Sequence, residues 1–205
     1  MTIEEKVERH KQATHYIMTI AMTLGLWFIV EYLLASLGRN TFLLSEGRLI
    51  LGLGTAALLF ILLKHIRKKY FDNQEFSFMQ GWYYCTQLMF FAGLVEALGI
   101  LIFNNWIAPD NLAAMHEAVI NELETRMAIA QEGVASMDST SQVATFYNAM
   151  SNMMTENIEV LKETPISTPL QAAISNLSND VMMGMLLGIP FALVLRKKDN
   201  ETKNK

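Results

Sequence analysis

The chain has 205 residues, of which 52% are hydrophobic and only 18% are charged, and its mean hydropathy is +0.24. This is one domain's worth of chain with more apolar side chains than a soluble domain of that length needs. The net charge of −4 provides no basic surface that could neutralise phosphates, so nucleic acid is excluded as a partner. The single cysteine, Cys85, excludes an intramolecular disulfide.

The apolar residues are concentrated in four segments that predict transmembrane helices, each of which needs about 20 mostly apolar residues. Their apolar parts are Tyr16–Leu37, Leu49–Leu63, Phe78–Phe103 and Val181–Leu195. The predicted divisions, in chain order, are a cytoplasmic N-terminus (1–15), spans one to three (16–103), an extracytoplasmic helical hairpin (104–167), span four (168–196) and a cytoplasmic tail (197–205). We therefore predict an all-α polytopic membrane protein that packs as a four-helix bundle.

The orientation of the spans is predicted from the basic residues beside them, because cytoplasmic flanks accumulate Lys and Arg. With the N-terminus inside, twelve Lys and Arg residues lie on the inner side and four on the outer side. The chain is thus expected in a cytoplasmic (inner) membrane, with both termini in the cytoplasm.

The long segment between spans three and four predicts two amphipathic helices rather than a linker. A three-to-four spacing of apolar residues follows Pro109-Asp110, and the small and polar run Gly133–Ser141 interrupts it. The two predicted stripes are Leu112, Met115, Val119, Leu123, Met127, Ala130 and Val134, then Val143, Phe146, Met150, Met153, Asn157 and Leu161. Each helix needs a partner for its stripe, which favours a helical hairpin that projects from the membrane.

Four charged residues lie inside or beside the predicted spans: Glu31, Arg48, Glu96 and Asp180. Counted from the inner end of each span, all four fall at about 22 Å or slightly more, which predicts one polar layer in the outer leaflet. A carboxylate at this depth needs a partner, so we expect Arg48 to neutralise Glu31, Glu96 or both. The layer is either a structural ion pair near the interface or a site for a ligand or proton, and we favour the structural interpretation.

Small residues four positions apart occur in every predicted span. The pairs are Ala21 and Gly25, Gly52 and Ala56, Gly93 and Ala97, and Gly184 and Gly188. Such pairs let helix backbones approach closely in lipid. We favour packing within one bundle, with homodimerisation as the alternative.

No signature of a metal site, a cofactor site or an enzyme is present in the sequence. Six methionines lie in the predicted hairpin, and thioethers bind Cu(I), but methionine on an apolar stripe is usually core filler. The zinc-protease motif HExxH, the serine-hydrolase motif GxSxG, the phosphate-binding loop and an Asp-rich magnesium pair are all missing. We predict no metal, no cofactor and no enzymatic activity.

The layout nevertheless resembles a known bacterial family. It combines four spans, the entry Phe76-Ser77-Phe78-Met79-Gln80-Gly81 to the third span, a Met- and Glu-rich helical pair, and the start Thr168-Pro169-Leu170 of the last span. These features are similar to those of small four-span inner-membrane proteins classed only as a domain of unknown function. The resemblance covers nearly the whole chain, implies no activity and no site residues, and suggests an accessory role in envelope glycan assembly.

Two functions from different classes follow as hypotheses. The first is a non-enzymatic accessory or scaffold protein that sits in the lipid bilayer and binds a membrane-protein partner or a second copy of itself. The second is a small transporter or channel component that uses Glu31, Glu96 and Arg48. A dry ion pair would favour the first hypothesis, and polar groups lining a path through the bundle would favour the second.

Overall fold

The structure, a computed structural model, describes residues 3–37, 43–71, 76–135 and 142–196 of the chain. Within these ranges the fold is all-helical. The helices are α1 (Ile3–Leu37), α2 (Leu43–Phe71), α3 (Phe78–Ile102), a π-helical segment (Phe103–Ile107), α4 (Asn111–Ala135), α5 (Gln142–Glu163) and α6 (Pro169–Leu195). The predicted tail and most of the predicted break at Gly133–Ser141 lie outside the described residues.

The chain divides into two compact units. Unit 1 comprises Met1–Phe103 with Pro169–Lys205, and unit 2 is Asn104–Thr168. Helices α1, α2, α3 and α6 therefore belong to unit 1, and α4 and α5 belong to unit 2.

In unit 1, α3 is the central helix, with α1 packed parallel to it and α6 antiparallel. The parallel packing is seen where His10 meets Tyr84 and, further along both helices, Gly25 meets Val95. The antiparallel packing is seen where Gly81 faces Ala192 and Gly93 faces Asp180. The start of α1 and the end of α6 consequently lie at the same end of unit 1.

Three helices in the described ranges are long and apolar enough to cross a membrane. They cover Ile3–Ser36, Phe78–Ile107 and Pro169–Leu195. The predicted second span belongs to α2, whose side chains before position 52 are outside the described part, so a count of four spans stays a prediction. The large apolar side chains on the outside of unit 1, such as Leu98 at 61% and Leu186 at 63% exposure, are those that lipid would cover.

The helix boundaries show how local sequence sets the elements. Ser77 caps the start of α3 with a capping box. The Ser77 hydroxyl accepts a hydrogen bond from the Gln80 backbone N–H (3.2 Å), and the Gln80 side-chain oxygen accepts one from the Ser77 backbone N–H (2.9 Å). Helix α6 begins at Pro169, the first helical position that the sequence predicted. Helix α1 begins at Ile3, well before the predicted apolar segment that starts at Tyr16, because the residues between these two positions are mostly strong helix formers.

Unit 2 is built from α4 and α5, which pack antiparallel. Gln131 donates to Ser151 (3.3 Å) and Thr155 donates to the Met127 sulfur (3.2 Å). The face that α5 buries runs through Ser151 and Ile158, not through the predicted Met153, which is 65% exposed. Met153 and Asn157 are therefore wrong as members of the buried stripe, whereas the predicted Met150 and Leu161 are half-buried.

Candidate functional site

Three carboxyl groups from three different helices approach one another inside unit 1. Glu31 comes from α1, Glu96 from α3 and Asp180 from α6, and we call these residues the carboxyl cluster. Glu96 is the most deeply placed, with only 7% of its surface exposed. All three lie in helices that can cross a membrane, where an ionisable group is costly and marks a functional site by default.

Glu96 and Asp180 form the centre of the carboxyl cluster. Their side chains lie within hydrogen-bonding reach of each other. The Oδ2 atom of Asp180 is buried and has no hydrogen-bond partner among the described residues. A buried carboxyl oxygen without a donor is unstable unless a proton or another cation accompanies it.

Gly93 makes room for this contact. A Cβ atom at position 93 would lie 2.8 Å from Asp180 Oδ2 and 3.1 Å from its Cβ. Any larger residue would therefore displace the Asp180 side chain from α3. Gly93 and Ala97, which the sequence predicted as a packing pair, are both buried. Gly93 lies about one helical turn before Glu96, and Ala97 directly follows Glu96.

Glu31 is the outlying member of the carboxyl cluster. Its carboxylate accepts a hydrogen bond of 2.9 Å from the Thr55 hydroxyl on α2. Glu31 is also close enough to Glu96 and Asp180 to interact with both as a like charge. The carboxyl cluster thus extends from the α3–α6 contact to the α1–α2 contact.

Arg48, the predicted counter-ion, lies in α2, but its side chain is outside the described part of the chain. Both ion pairs found among the described residues belong to unit 2, and neither involves the carboxyl cluster. The predicted pairing of Arg48 with Glu31 or Glu96 remains a prediction. In the same ranges, no group of three or more His, Cys, Asp or Glu side chains is arranged to hold a metal ion.

The other glycines of the predicted packing pairs show where helices touch. A Cβ atom on Gly184 would lie 2.7 Å from the Met89 Cβ, and one on Gly188 would lie 3.0 Å from the Trp82 ring. Both glycines therefore serve the packing of α6 on α3 within one chain. Around Gly52, by contrast, no described atom lies within 4 Å.

Sequence reasoning missed two polar contacts of unit 1. Thr55 was not singled out, although it is the polar residue within the apolar run Leu49–Leu63. The sequence did not predict the burial of Tyr84, whose side chain is fully buried with its hydroxyl 2.6 Å from His10 Nδ1. A hydroxyl within an apolar run is the signal that could have found Thr55, because such a group needs a partner when buried.

Unit 1 thus defines a class: an all-helical protein with apolar helices of membrane-spanning length around a buried carboxyl pair. The family described as "Protein of unknown function (DUF4199)" matches residues 16–197, and the chain belongs to that family. This confirms the resemblance to a family without an assigned function. No curated protein and no solved structure matches the chain.

Proposed function

We propose that unit 1 binds a proton at the carboxyl cluster and acts as the proton-binding part of a small membrane transporter or channel component. The observation that supports this most is the approach of Glu96 to Asp180 between two apolar helices. Two adjacent carboxyl groups in apolar surroundings avoid mutual repulsion by holding one proton between them. Chains of such groups form the proton relays of membrane pumps and transporters.

The members of the carboxyl cluster would have different roles. Glu96 and Asp180 share the proton, and Glu31, held by Thr55, is the next acceptor on the path toward α2. Arg48 would be the counter-ion when the carboxyl cluster carries more negative charge. In this proposal the chain crosses a bacterial inner membrane four times with both termini in the cytoplasm, and unit 2 lies outside.

A hydrophobic carbodiimide tests the proposal, because it reacts with protonated carboxyl groups in apolar surroundings and not with ionised ones. We expect the full chain in lipid vesicles to be labelled at Glu96 or Asp180, with the peptide identified by mass spectrometry. Labelling should fall as the pH is raised and the shared proton is lost. The exposed Glu117 of unit 2 is the internal control and should stay unlabelled.

The variants Glu96→Gln and Asp180→Asn make the test specific. Each keeps the shape of the side chain and removes one of the two groups that share the proton, so proton flux into vesicles should fall to background while the helical signal in circular dichroism stays. Absence of label from both carboxyls at every pH, or unchanged proton flux in both variants, would refute the proposal.

A second candidate is the accessory or scaffold role, and one feature of unit 2 favours it. Ile129 and Met153 are each 65% exposed and Val160 is 59% exposed, which leaves apolar surface for a membrane-protein partner or a second copy. A link to envelope glycan assembly rests on the family resemblance alone. The variant Glu96→Gln distinguishes the two candidate functions. It should abolish the proton flux that the transporter role requires, but leave unchanged the crosslinking to a partner in native membranes that the accessory role requires.

A further inference from the structure

A groove of about 570 Å³ is lined by the stretch 8–19 of α1 and by Tyr70 in the last turn of α2. Its wall includes Glu8, Lys11, His15, Tyr16, Met18 and Tyr70. Its volume falls within the range of small-molecule sites, which is about 300–1,000 Å³. We call it the interfacial groove. It is separate from the carboxyl cluster, whose α1 member, Glu31, lies 15 residues after Tyr16.

One ammonium group lies in the wall of the interfacial groove, and a second lies beside it, over the rings of two wall residues. Lys11 lies in its wall, and the Lys69 ammonium lies 3.8 Å from the ring centroid of Tyr16 and 5.4 Å from that of Tyr70. The two rings hold Lys69 in place through cation–π attraction. Neither lysine forms an ion pair with a carboxylate among the described residues. Their charge is thus available to an anion.

The one carboxylate in the wall lies at the far end from the lipid. Glu8 is about 12 Å along the helix axis from Tyr16 on the side away from the apolar run. Its carboxylate accepts a hydrogen bond of 3.3 Å from the Gln12 side chain. Lys11 lies between Glu8 and Tyr16, about 4.5 Å along the axis from the first and about 7.5 Å from the second. The anion-binding part is therefore the stretch from Lys11 to Tyr16, where Lys69 lies over the Tyr16 ring.

That end coincides with the start of the apolar part of α1. Tyrosine rings are typical of the level at which lipid headgroups meet the apolar core, and Tyr16 and Tyr70 supply two of them. Met18, also in the wall, is 43% exposed and lies where an acyl chain would begin. The ammonium groups and tyrosine rings are thus followed along α1 by apolar surface, as a headgroup is followed by acyl chains.

We propose that the interfacial groove binds the phosphate of an anionic membrane lipid. Lys11 and Lys69 contact the phosphate oxygens, the tyrosine rings flank the headgroup, and the acyl chains lie along α1 beside Met18. Basic pockets between helices at the membrane surface are suited to such headgroups, because each basic residue there adds attraction for an anionic lipid. The assignment does not depend on the proton site, since the groove and the carboxyl cluster share no residue.

Native mass spectrometry of the full chain, released from micelles with equal amounts of phosphatidylglycerol and phosphatidylcholine, tests the assignment. We expect phosphatidylglycerol to be retained in preference. The double variant Lys11→Gln/Lys69→Gln should reduce its retention about tenfold, given the attraction of two basic residues at a membrane surface. Lys11→Arg/Lys69→Arg keeps both charges and should retain the lipid, which also shows that the site tolerates substitution.

The matched control is Lys6→Gln/Lys68→Gln, which removes the same charge from exposed positions that neither line the groove nor lie over the Tyr16 and Tyr70 rings. It should leave lipid retention close to that of the unmodified chain. Equal loss in both double variants would overturn the proposal, because it would show attraction by surface charge alone. Equal retention of the two lipids would also overturn it. So would displacement of phosphatidylglycerol by inorganic phosphate, since the groove would then recognise the free ion.

Discussion

The two units place their acidic residues in opposite environments. In unit 1, Glu96 is buried in an apolar helix next to Asp180. In unit 2, Glu122 pairs with Arg126 and Glu124 pairs with Lys162, and all four side chains are 41% to 55% exposed. Water stabilises the carboxylates of unit 2 whether or not they are paired, whereas those of unit 1 depend on the few groups around them.

The carboxyl groups of the two units therefore differ in their free-energy cost. An exposed ion pair contributes about 0–1 kcal/mol and is easily replaced. A pair of like carboxyls between apolar helices costs free energy, which makes it a candidate functional site. If close helix packing holds the carboxyl groups of unit 1 in place, substitutions at its helix contacts should cost more free energy than substitutions of exposed groups in unit 2.

The largest effect is expected at Gly25, where α1 meets α3. A Cβ atom there would lie 2.5 Å from the Val95 Cβ and 2.6 Å from the Ala92 carbonyl oxygen, which belongs to the backbone and cannot rotate away. Gly25→Leu should lower the free energy of unfolding by roughly 3 kcal/mol, the upper part of the range for overpacking. Thermal unfolding in detergent, followed by circular dichroism, measures this.

Gly54→Leu is the matched control for Gly25→Leu. It makes the same change in a helix of the same unit, but no described atom lies within 4 Å of position 54. The unfolding temperature should stay within about 2 °C of that of the unmodified chain, as for a substitution that touches nothing. Equal losses in the two variants would mean that α1 does not pack on α3 at Gly25.

A smaller loss is expected when the donor to Glu31 is removed. Thr55→Val keeps the side-chain shape but leaves a carboxyl oxygen without the hydrogen bond of 2.9 Å. The loss should be about 1.5 kcal/mol, because the acceptor is a part-buried, charged group. Thr86→Val is the control, since among the described residues that hydroxyl bonds the Trp82 carbonyl of its own helix (3.0 Å), and it should cost a few tenths of a kcal/mol. Similar losses for both threonines would argue against a specific Thr55–Glu31 contact.

The depth of the charged residues could be predicted from the sequence, and their neighbours could not. Position along a helix follows from counting residues at about 1.5 Å each, which put Glu31, Glu96 and Asp180 at similar depth. In the structure the three approach one another. Which side of each helix faces the others depends on packing, and neither the Gly93–Asp180 contact nor the role of Thr55 could be read from spacing.

The same limit explains the error in α5. Its predicted stripe included Met153 and Asn157, whereas the helix buries Ser151 and Ile158, which are 7% and 4% exposed. Met153 and Met154 are neighbours in the sequence, so apolar spacing alone does not decide which of the two faces α4. The contacts with α4, such as Gln131 to Ser151, decide between them, and these join residues 20 positions apart.

The smallest effect is expected at the exposed ion pair of unit 2. Its dependence on salt can be compared with that of the Thr55–Glu31 hydrogen bond of unit 1. Lys162 donates to Glu124 at 2.6 Å, with 53% and 41% of the two side chains exposed. A double-mutant cycle with Lys162→Gln and Glu124→Gln should give a coupling of about 0.5 kcal/mol or less. At 1 M salt the coupling should vanish, because the screening length there is about 3 Å.

The loss of unfolding free energy in Thr55→Val should be unchanged by the same salt, since the Glu31–Thr55 contact is part-buried. If salt weakened both interactions equally, the carboxyl groups of unit 1 would be as open to water as those of unit 2, and the argument for a proton held inside the helices would fail.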